Sequence, residues 1–332
     1  MPAAKRLRDD GPEDLSDLIE EETDVDWPKA RKMLPTVPTE TILGIMGRLG
    51  LYVNRAFALE VARRPDAVFQ LRRYLQDGKN WADGERTSAW APIHAAFILP
   101  LIKGPEALRL LLDLVRFRGE ELGDFVTEDV TSLLYAFGPE GYDAILEFSS
   151  DETLEPFGRA AAVDALAARA LKDPAFWDRT VAHLRRLLSE TKDPVFCTML
   201  SDALLGLDRR ALPEVLAAHR EGRLDTDLNP VEEIEMLAAG RFADMEKAEL
   251  ERDTSDPMEH FTRQSILQLR DAERSWEDED GEDEGGEDED GDDEGPAVSG
   301  RHSAAKGPSK NAPCPCGSGK KYKRCCMPGK DG

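Results

Sequence analysis

The chain has 332 residues, of which 40% are hydrophobic and 33% are charged, so it can hold one large or two medium globular domains with charged tails. Its formal net charge of −24 argues against nucleic-acid binding across the whole body, because acidic side chains repel phosphates. No apolar run approaches the ~20 residues that cross a bilayer, and no apolar stretch follows the first charges, so we expect a cytoplasmic protein without a secretory signal.

The N-terminal residues 1–27 are rich in charge and are predicted to form a mobile arm, with room for a short helix at Leu15–Ile19. From Thr39 onward, apolar residues recur at helical spacing. No run with the two-residue period of a strand is long enough to indicate a sheet. The sequence therefore predicts an all-α body over residues 28–274.

The body shows a repeat of about 35 residues, marked by prolines at 105, 139, 174 and 213. Each proline is predicted to start a helix, since its fixed φ suits the first helical turn. Each of these helices is preceded by another apolar helix, predicted at Trp90–Ile102, Val130–Phe137, Ala160–Leu171 and Phe196–Leu205. This pattern resembles HEAT-like repeats and predicts an α-solenoid of helical hairpins. An irregular helical bundle is the alternative.

Three residues of the body are functional candidates. His94 lies in an apolar helix, where a satisfied core or interface histidine is favoured over a metal ligand. Cys197 is isolated in another apolar helix and is interpreted as a buried structural cysteine. Trp81 lies in a loop, where it either binds a partner or, as we favour, folds back onto the first repeat. No residue set indicates catalysis, so we predict no catalytic residues and no enzyme activity.

The chain then changes composition. Residues 275–310 carry Gly, Asp, Glu, Ser and Pro with almost no large apolar residue, including fourteen acidic residues between 277 and 294. Such a segment is predicted to be a disordered acidic linker. Residues 301–332 are basic, with eight Lys or Arg and one Asp, so any nucleic-acid contact would use this tail.

The last predicted domain, residues 311–330, contains four of the five cysteines: Cys314, Cys316, Cys325 and Cys326. Two pairs separated by the turn-forming Gly317-Ser318-Gly319 can bring four thiolates around one structural Zn²⁺. Clustered cysteines without a secretory signal favour zinc over disulfides or free thiols. The intervening loop holds the predicted partner-binding residues Lys320, Lys321, Tyr322, Lys323 and Arg324.

This cysteine stretch, Pro-Cys-Pro-Cys-Gly-Ser-Gly-Lys-Lys-Tyr-Lys-Arg-Cys-Cys, resembles the SEC-C motif, the zinc-binding tail of the bacterial preprotein translocase ATPase. The resemblance implies the same four cysteines as ligands, although Cys326 stands where the translocase usually has histidine. It also implies contact with a secretion chaperone or the ribosome. No phosphate-binding loop is present, so the motor activity does not transfer. A helical-repeat body followed by SEC-C is also similar to an uncharacterised bacterial family.

Three functions remain open at this point. The first, which we favour, is a non-enzymatic adaptor whose repeat body binds one protein partner and whose tethered zinc knuckle docks a second. The second is a nucleic-acid or ribosome-associated binder that acts through the basic tail. The third is a HEAT-like lyase-type enzyme, for which the sequence offers no catalytic residues.

Overall fold

The structure of the chain is a computed structural model that describes residues 14–82, 88–123 and 128–281, with side chains described as far as residue 273. The described residues form α-helices and short 3-10 helices, and none of them lies in a β-strand. This confirms the predicted all-α class. None of the described helices is long and apolar enough to cross a membrane. Of the described residues, those up to 266 belong to one compact unit, and residues 267–281 belong to a second.

Five helices open the first unit. Their bounds are Ser16–Glu22 (α1), Trp27–Met33 (α2), Thr39–Leu49 (α3), Arg55–Ala62 (α4) and Ala67–Gln76 (α5). Residues 14–22 belong to the predicted N-terminal arm, yet Leu15 and Ile19 are fully buried. Their burial differs from the expectation of a mobile arm over these residues, because two large apolar side chains one turn apart give this stretch a face to remove from water.

Four pairs of helices follow, in the order that the proline spacing predicts. The first helices of the pairs are Trp90–Ile102 (α6), Val130–Tyr135 (α8), Pro156–Lys172 (α10) and Pro194–Leu207 (α12). The second helices are Pro105–Leu122 (α7), Tyr142–Ser149 (α9), Trp177–Glu190 (α11) and Leu212–Arg220 (α13). The helix α6 begins and ends at the predicted residues, and the bounds of the other first helices lie within about four residues of the prediction.

The four prolines start the second helices in two ways. Pro105 and Pro213 lie at the beginning of α7 and α13, whereas Pro139 and Pro174 open 3-10 turns that continue directly into α9 and α11. Both uses suit proline, since the first turn needs no donor from its nitrogen. Gly104, just before the first of these prolines, has a φ of 83°, a left-handed conformation that glycine adopts without steric cost.

The first helices pack against one another and form the core of the unit. The helix α10 lies against both α8 and α12. Alanines cover the buried side of α10, which lets neighbouring helices approach closely. In α12, Phe196, Leu200 and Leu204 are fully buried in the same cluster as Leu184 of α11. Apolar residues at helical spacing thus account for the row of helices and for its core.

After α13 the chain forms α14 (Val231–Ala238) and then runs back along this row. The helix α15 (Ala243–Asp253) packs on α8 and α10, and the 3-10 turn Pro257–Phe261 packs on α4 and α6. In a linear repeat array each repeat contacts only its neighbours. Residues 243–266, termed here the return segment, instead contact helices far away in the sequence.

The end of the return segment reaches the beginning of the first unit. Arg263, the first residue of α16 (Arg263–Gly281), donates to both carboxylate oxygens of Asp17 at 2.7 and 2.8 Å. The sequence predicts a helix from Asp256 that is half exposed or packed on the last repeat. The structure corrects this, because Pro257–Phe261 forms a 3-10 turn against α4 and α6, and α16 begins only at Arg263.

A buried histidine pair joins α6 to the return segment. The Nε2 atom of His94 lies 2.9 Å from the carbonyl oxygen of Gly50, and its Nδ1 lies 2.9 Å from Nε2 of His260. A carbonyl oxygen can only accept, so His94 Nε2 carries the proton, its Nδ1 accepts, and His260 donates. Phe97 stacks on the His260 ring with a centroid distance of 3.8 Å. This confirms the prediction that His94 is a satisfied core histidine.

This pair makes the stability of the protein depend on pH. Burial lowers the pKa of His94 to about 4 and lowers the pKa of His260 well below its ordinary value. The unfolded histidines protonate near pH ~6.5. Their stabilising contribution is therefore complete above that pH and is lost as the pH falls toward the folded values.

The His94→Gln variant isolates this effect, because glutamine keeps a donor for Gly50 and an acceptor for His260 but does not titrate. Between pH 6.5 and 4.5, wild type is expected to lose about 2 kcal/mol more of its free energy of unfolding than the variant. Urea denaturation at both pH values measures the difference. Equal losses in the two proteins would contradict the assignment.

Candidate partner-binding cleft

A cleft of about 840 Å³ lies between α7 and the segment that faces it, the end of α8 through α9. The residues of α7 that line it are spaced three or four apart, so they share one face of the helix. From α7 and the residue before it, the lining comprises Gly104, Pro105, Leu108, Arg109, Leu112, Asp113, Arg116 and Phe117. The facing segment contributes Phe137, Glu140, Gly141, Ala144, Glu147, Phe148, Ser150 and Asp151.

Apolar side chains form the floor of the cleft. Leu108, Phe137 and Phe148 are buried, which reflects their position between the second helices of two neighbouring pairs. Phe117 differs, because 70% of its surface is exposed at the edge of the same cleft. Burying a phenylalanine side chain is worth about 1.5–3 kcal/mol. An exposed phenylalanine beside a concave apolar floor is therefore a point where a partner could gain binding energy.

Arg116 connects the floor of the cleft to its rim. Its guanidinium contacts the Asp151 carboxylate at 2.8 Å and lies within 6 Å of the rings of Phe117 and Phe148. A hydrogen bond from the Thr153 hydroxyl, reinforced by Arg116, lowers the pKa of Asp151 below its ordinary value. Asp151 therefore remains ionised, and this pair holds Arg116 in one orientation across the aromatic rings.

Further charged residues lie along the rim of the cleft. Arg109, Glu140 and Glu147 are exposed, and no ion pair joins any of them to another side chain in the described part of the chain. Charges of both signs thus surround an apolar floor, which is the usual composition of a protein interface. The sequence did not single out this cleft. The three- and four-residue spacing along α7 was the signal available, but it does not reveal which helix faces α7.

The structure also places two other candidates of the sequence. The Nε1 atom of Trp81 donates to the carbonyl oxygen of Leu75 at 2.9 Å, and the Arg118 guanidinium lies 5.0 Å from the tryptophan ring centre. This confirms that Trp81 folds back onto the body. Cys197 is fully buried, as predicted. Within residues 14–82, 88–123 and 128–281, no group of three or more His, Cys, Asp or Glu side chains could hold a metal ion.

The predicted metal ligands and the predicted partner-binding loop lie outside the described residues. The ligands are Cys314, Cys316, Cys325 and Cys326. The loop residues are Lys320, Lys321, Tyr322, Lys323 and Arg324. Four thiolates on two closely spaced pairs are a complete donor set for tetrahedral zinc, and the chain supplies them within thirteen residues.

Comparison with known proteins supports the interpretation of this segment. Residues 311–328 match the SEC-C motif family. A UPF0225 protein of Sodalis glossinidius (strain morsitans) is 66% identical over 29 residues, in the same region of this chain. That match covers 9% of this chain and 17% of the relative, so it says nothing about the helical body. No solved structure matches the chain.

Proposed function

We propose that the chain is a non-enzymatic cytoplasmic adaptor that brings two partners together. Its HEAT-like helical body binds a segment of one protein partner in the cleft between α7 and α9. A SEC-C zinc knuckle beyond the acidic linker of residues 275–310 docks a second partner of the chaperone, translocation or ribosome class. The cleft, with the exposed Phe117 at its edge, is the observation that carries the proposal.

The chemistry of the cleft suggests what the first partner presents. Its apolar floor and Phe117 accept an apolar side chain, while Arg109 on α7 is available to a carboxylate and Glu140 and Glu147 to a basic group. A short amphipathic partner segment with one apolar anchor residue and charges of both signs would match the apolar floor, the arginine and the two glutamates. The affinity would come mainly from the anchor, since charges at an exposed rim contribute little to binding energy.

The knuckle supplies a second and chemically different surface. With Zn²⁺ bound by four cysteine thiolates, the site is closed and does no chemistry of its own. The four ligands together with the metal carry a formal charge of −2, which the basic residues Lys320, Lys321, Lys323 and Arg324 offset. This loop is the part of the knuckle that we propose contacts the partner. Tethering raises the effective concentration of one contact once the other has formed.

Phe117→Ser tests the cleft, and Phe69→Ser provides a matched control. Both phenylalanines are exposed on helices, at 70% and 61%, and each has an arginine guanidinium about 6 Å from its ring. Only Phe117 lines the cleft. We expect Phe117→Ser to weaken capture of the partner from cell extract by about tenfold or more, and Phe69→Ser to leave it unchanged. Equal capture by both variants would reject the cleft as the binding surface.

The same capture experiment distinguishes the second candidate function. The basic loop with Tyr322 offers charges and one stacking face to single-stranded nucleic acid. Should nuclease treatment or moderate salt remove every captured component, the chain would be a nucleic-acid binder that uses its tail. The adaptor proposal expects a protein partner that survives both treatments and is lost in the Phe117→Ser variant.

A further inference from the structure

A second, smaller cleft of about 250 Å³ lies where α15 of the return segment meets α10 and α12. Its apolar lining comes mainly from α10 and α12, with Ala167, Ala168, Leu171, Met199 and Ala203 among the residues. Five carboxyl groups also line it, and they are Asp164 of α10, Asp202 of α12, and Glu246, Glu249 and Asp253 of α15. Carboxylates from three helices therefore converge at the surface on which α15 docks.

The helix α15 has little apolar surface with which to hold this position. Met245 is 68% exposed, and Asp253 is the only buried residue of the helix. A surface helix normally docks through an apolar stripe. Here the docked face carries three acidic residues beside a single leucine, Leu250, and it meets further acidic residues. The electrostatic balance of this interface must therefore contribute strongly to whether α15 stays docked.

Two arginines compensate part of this charge. Arg209 contacts Glu246 at 2.8 Å, and Arg252 contacts Glu249 at 3.3 Å and Asp253 at 3.7 Å. Asp202 accepts a hydrogen bond from the Asn229 amide and faces Glu233 of α14 as well as Glu249. No described hydrogen-bond donor contacts Asp164, whose carboxyl faces Asp253, Glu249 and Asp202 and, with the opposite charge, Arg252. The acidic groups thus outnumber the basic ones that face them.

Burial makes this imbalance sensitive to protons. It raises the pKa of Asp202 to about 7 and that of Asp253 to about 6, and it raises the pKa of Asp164 well above the ordinary range. Neighbouring carboxylates add to the rise for all three. Asp129, at the beginning of α8, faces Arg252 and Glu128, and burial raises its pKa to about 6.

We propose that α15 is a proton-sensitive strap, which docks firmly on α8 and α10 while the carboxyl groups of Asp164, Asp202 and Asp253 hold protons and loosens when all three are ionised. The docked state binds more protons than the undocked state. Docking is therefore favoured as the pH falls from about 8 toward 6 and weakens as it rises through about 7. The direction is opposite to that of the buried histidine pair, which loses stabilisation only below pH ~6.5.

Hydrogen exchange of the full chain at pH 6 and pH 8 tests this proposal, with rates converted to protection factors to remove the intrinsic effect of pH. In wild type, amides of α15 should be about tenfold or more better protected at pH 6, since one unit of pKa displacement corresponds to a tenfold change. Amides of α12 serve as the internal reference and should keep the same protection. If α15 opens locally, only the protection of the α15 amides changes with pH.

The variant Asp164→Asn/Asp202→Asn removes two of the charges while preserving side-chain size. We expect its α15 to keep at pH 8 the protection that wild type reaches at pH 6. The single variant Asp202→Asn serves if the double variant does not fold. Glu251→Gln, on an exposed position of the same helix, is the control and should behave as wild type. Equal α15 protection at both pH values in wild type would overturn the proposal, and so would an equal change in α12.

Discussion

Replacing both Cys325 and Cys326 with serine is expected to reduce bound zinc from one ion per chain to none. Two thiolates cannot complete a tetrahedral structural site. Zinc binding to such small motifs is worth about 10–16 kcal/mol and supplies their folding free energy. The effect should therefore be the largest of any substitution in the chain. Elemental analysis of the purified protein measures the metal, and circular dichroism should show unchanged helix content, because the hydrophobic core of the helices is made of residues from the body.

Cys197→Ala is the control for this experiment. Cys197 is fully buried in α12 and lies far in sequence from the four clustered cysteines. We expect this variant to retain one zinc ion per chain. A double variant that still binds one ion, or a Cys197→Ala protein that loses it, would contradict the assignment of the ligands.

The second large effect is expected for Phe261→Ala in the return segment. Phe261 is 1% exposed and contacts the His260 ring edge-on at a centroid distance of 4.9 Å, with Phe97 at 6.3 Å. Truncating a buried phenylalanine to alanine costs about 3–5 kcal/mol, because the contacts are lost and a cavity remains. We expect urea denaturation to show a loss of this size.

Phe69→Ala provides the comparison for that experiment, since Phe69 is 61% exposed. Surface substitutions of this kind usually change stability by less than about 0.5 kcal/mol. A loss below about 1 kcal/mol for Phe261→Ala would mean that the return segment is not part of the cooperative core.

The paired helices could be predicted because their signals are local. A proline at a helix start and apolar residues at helical spacing need no knowledge of the rest of the chain. The bounds of α6 follow directly from its apolar run between Trp90 and Ile102. Where a proline was predicted to start an α-helix but opens a 3-10 turn, as at Pro139 and Pro174, the difference is within one turn and depends on local packing.

The return segment could not be predicted in the same way. The contacts of Arg263 with Asp17 and of His260 with His94 join residues separated by 246 and 166 positions. No periodicity in the sequence encodes such pairings. The helix α15 is also mostly polar, so no apolar stripe in its sequence predicts that it packs against the body. The burial of Leu15 and Ile19 was missed because the surrounding charges dominate that stretch.

The two candidate partner surfaces also differ in how far the sequence alone predicts them. The SEC-C motif could be predicted because its four cysteines lie close together in the sequence and their spacing is specific. The cleft between α7 and α9 requires knowledge of which helices face each other. Phe117 is the clearest example, because a phenylalanine in a helix of leucines is ordinarily assigned to the core, whereas here it lies at the exposed edge of a concave surface.

The central claim is that the chain has two separate surfaces for two different partners. Its most direct test is photo-cross-linking in living cells with a photoreactive phenylalanine analogue placed at position 117, 322 or 69. Position 117 reports on the cleft, position 322 on the basic loop of the zinc knuckle, and position 69 on an exposed control site. We expect positions 117 and 322 to cross-link to different molecules and position 69 to cross-link to neither. Cross-linking at none of the three, or the same products from all three, would contradict it.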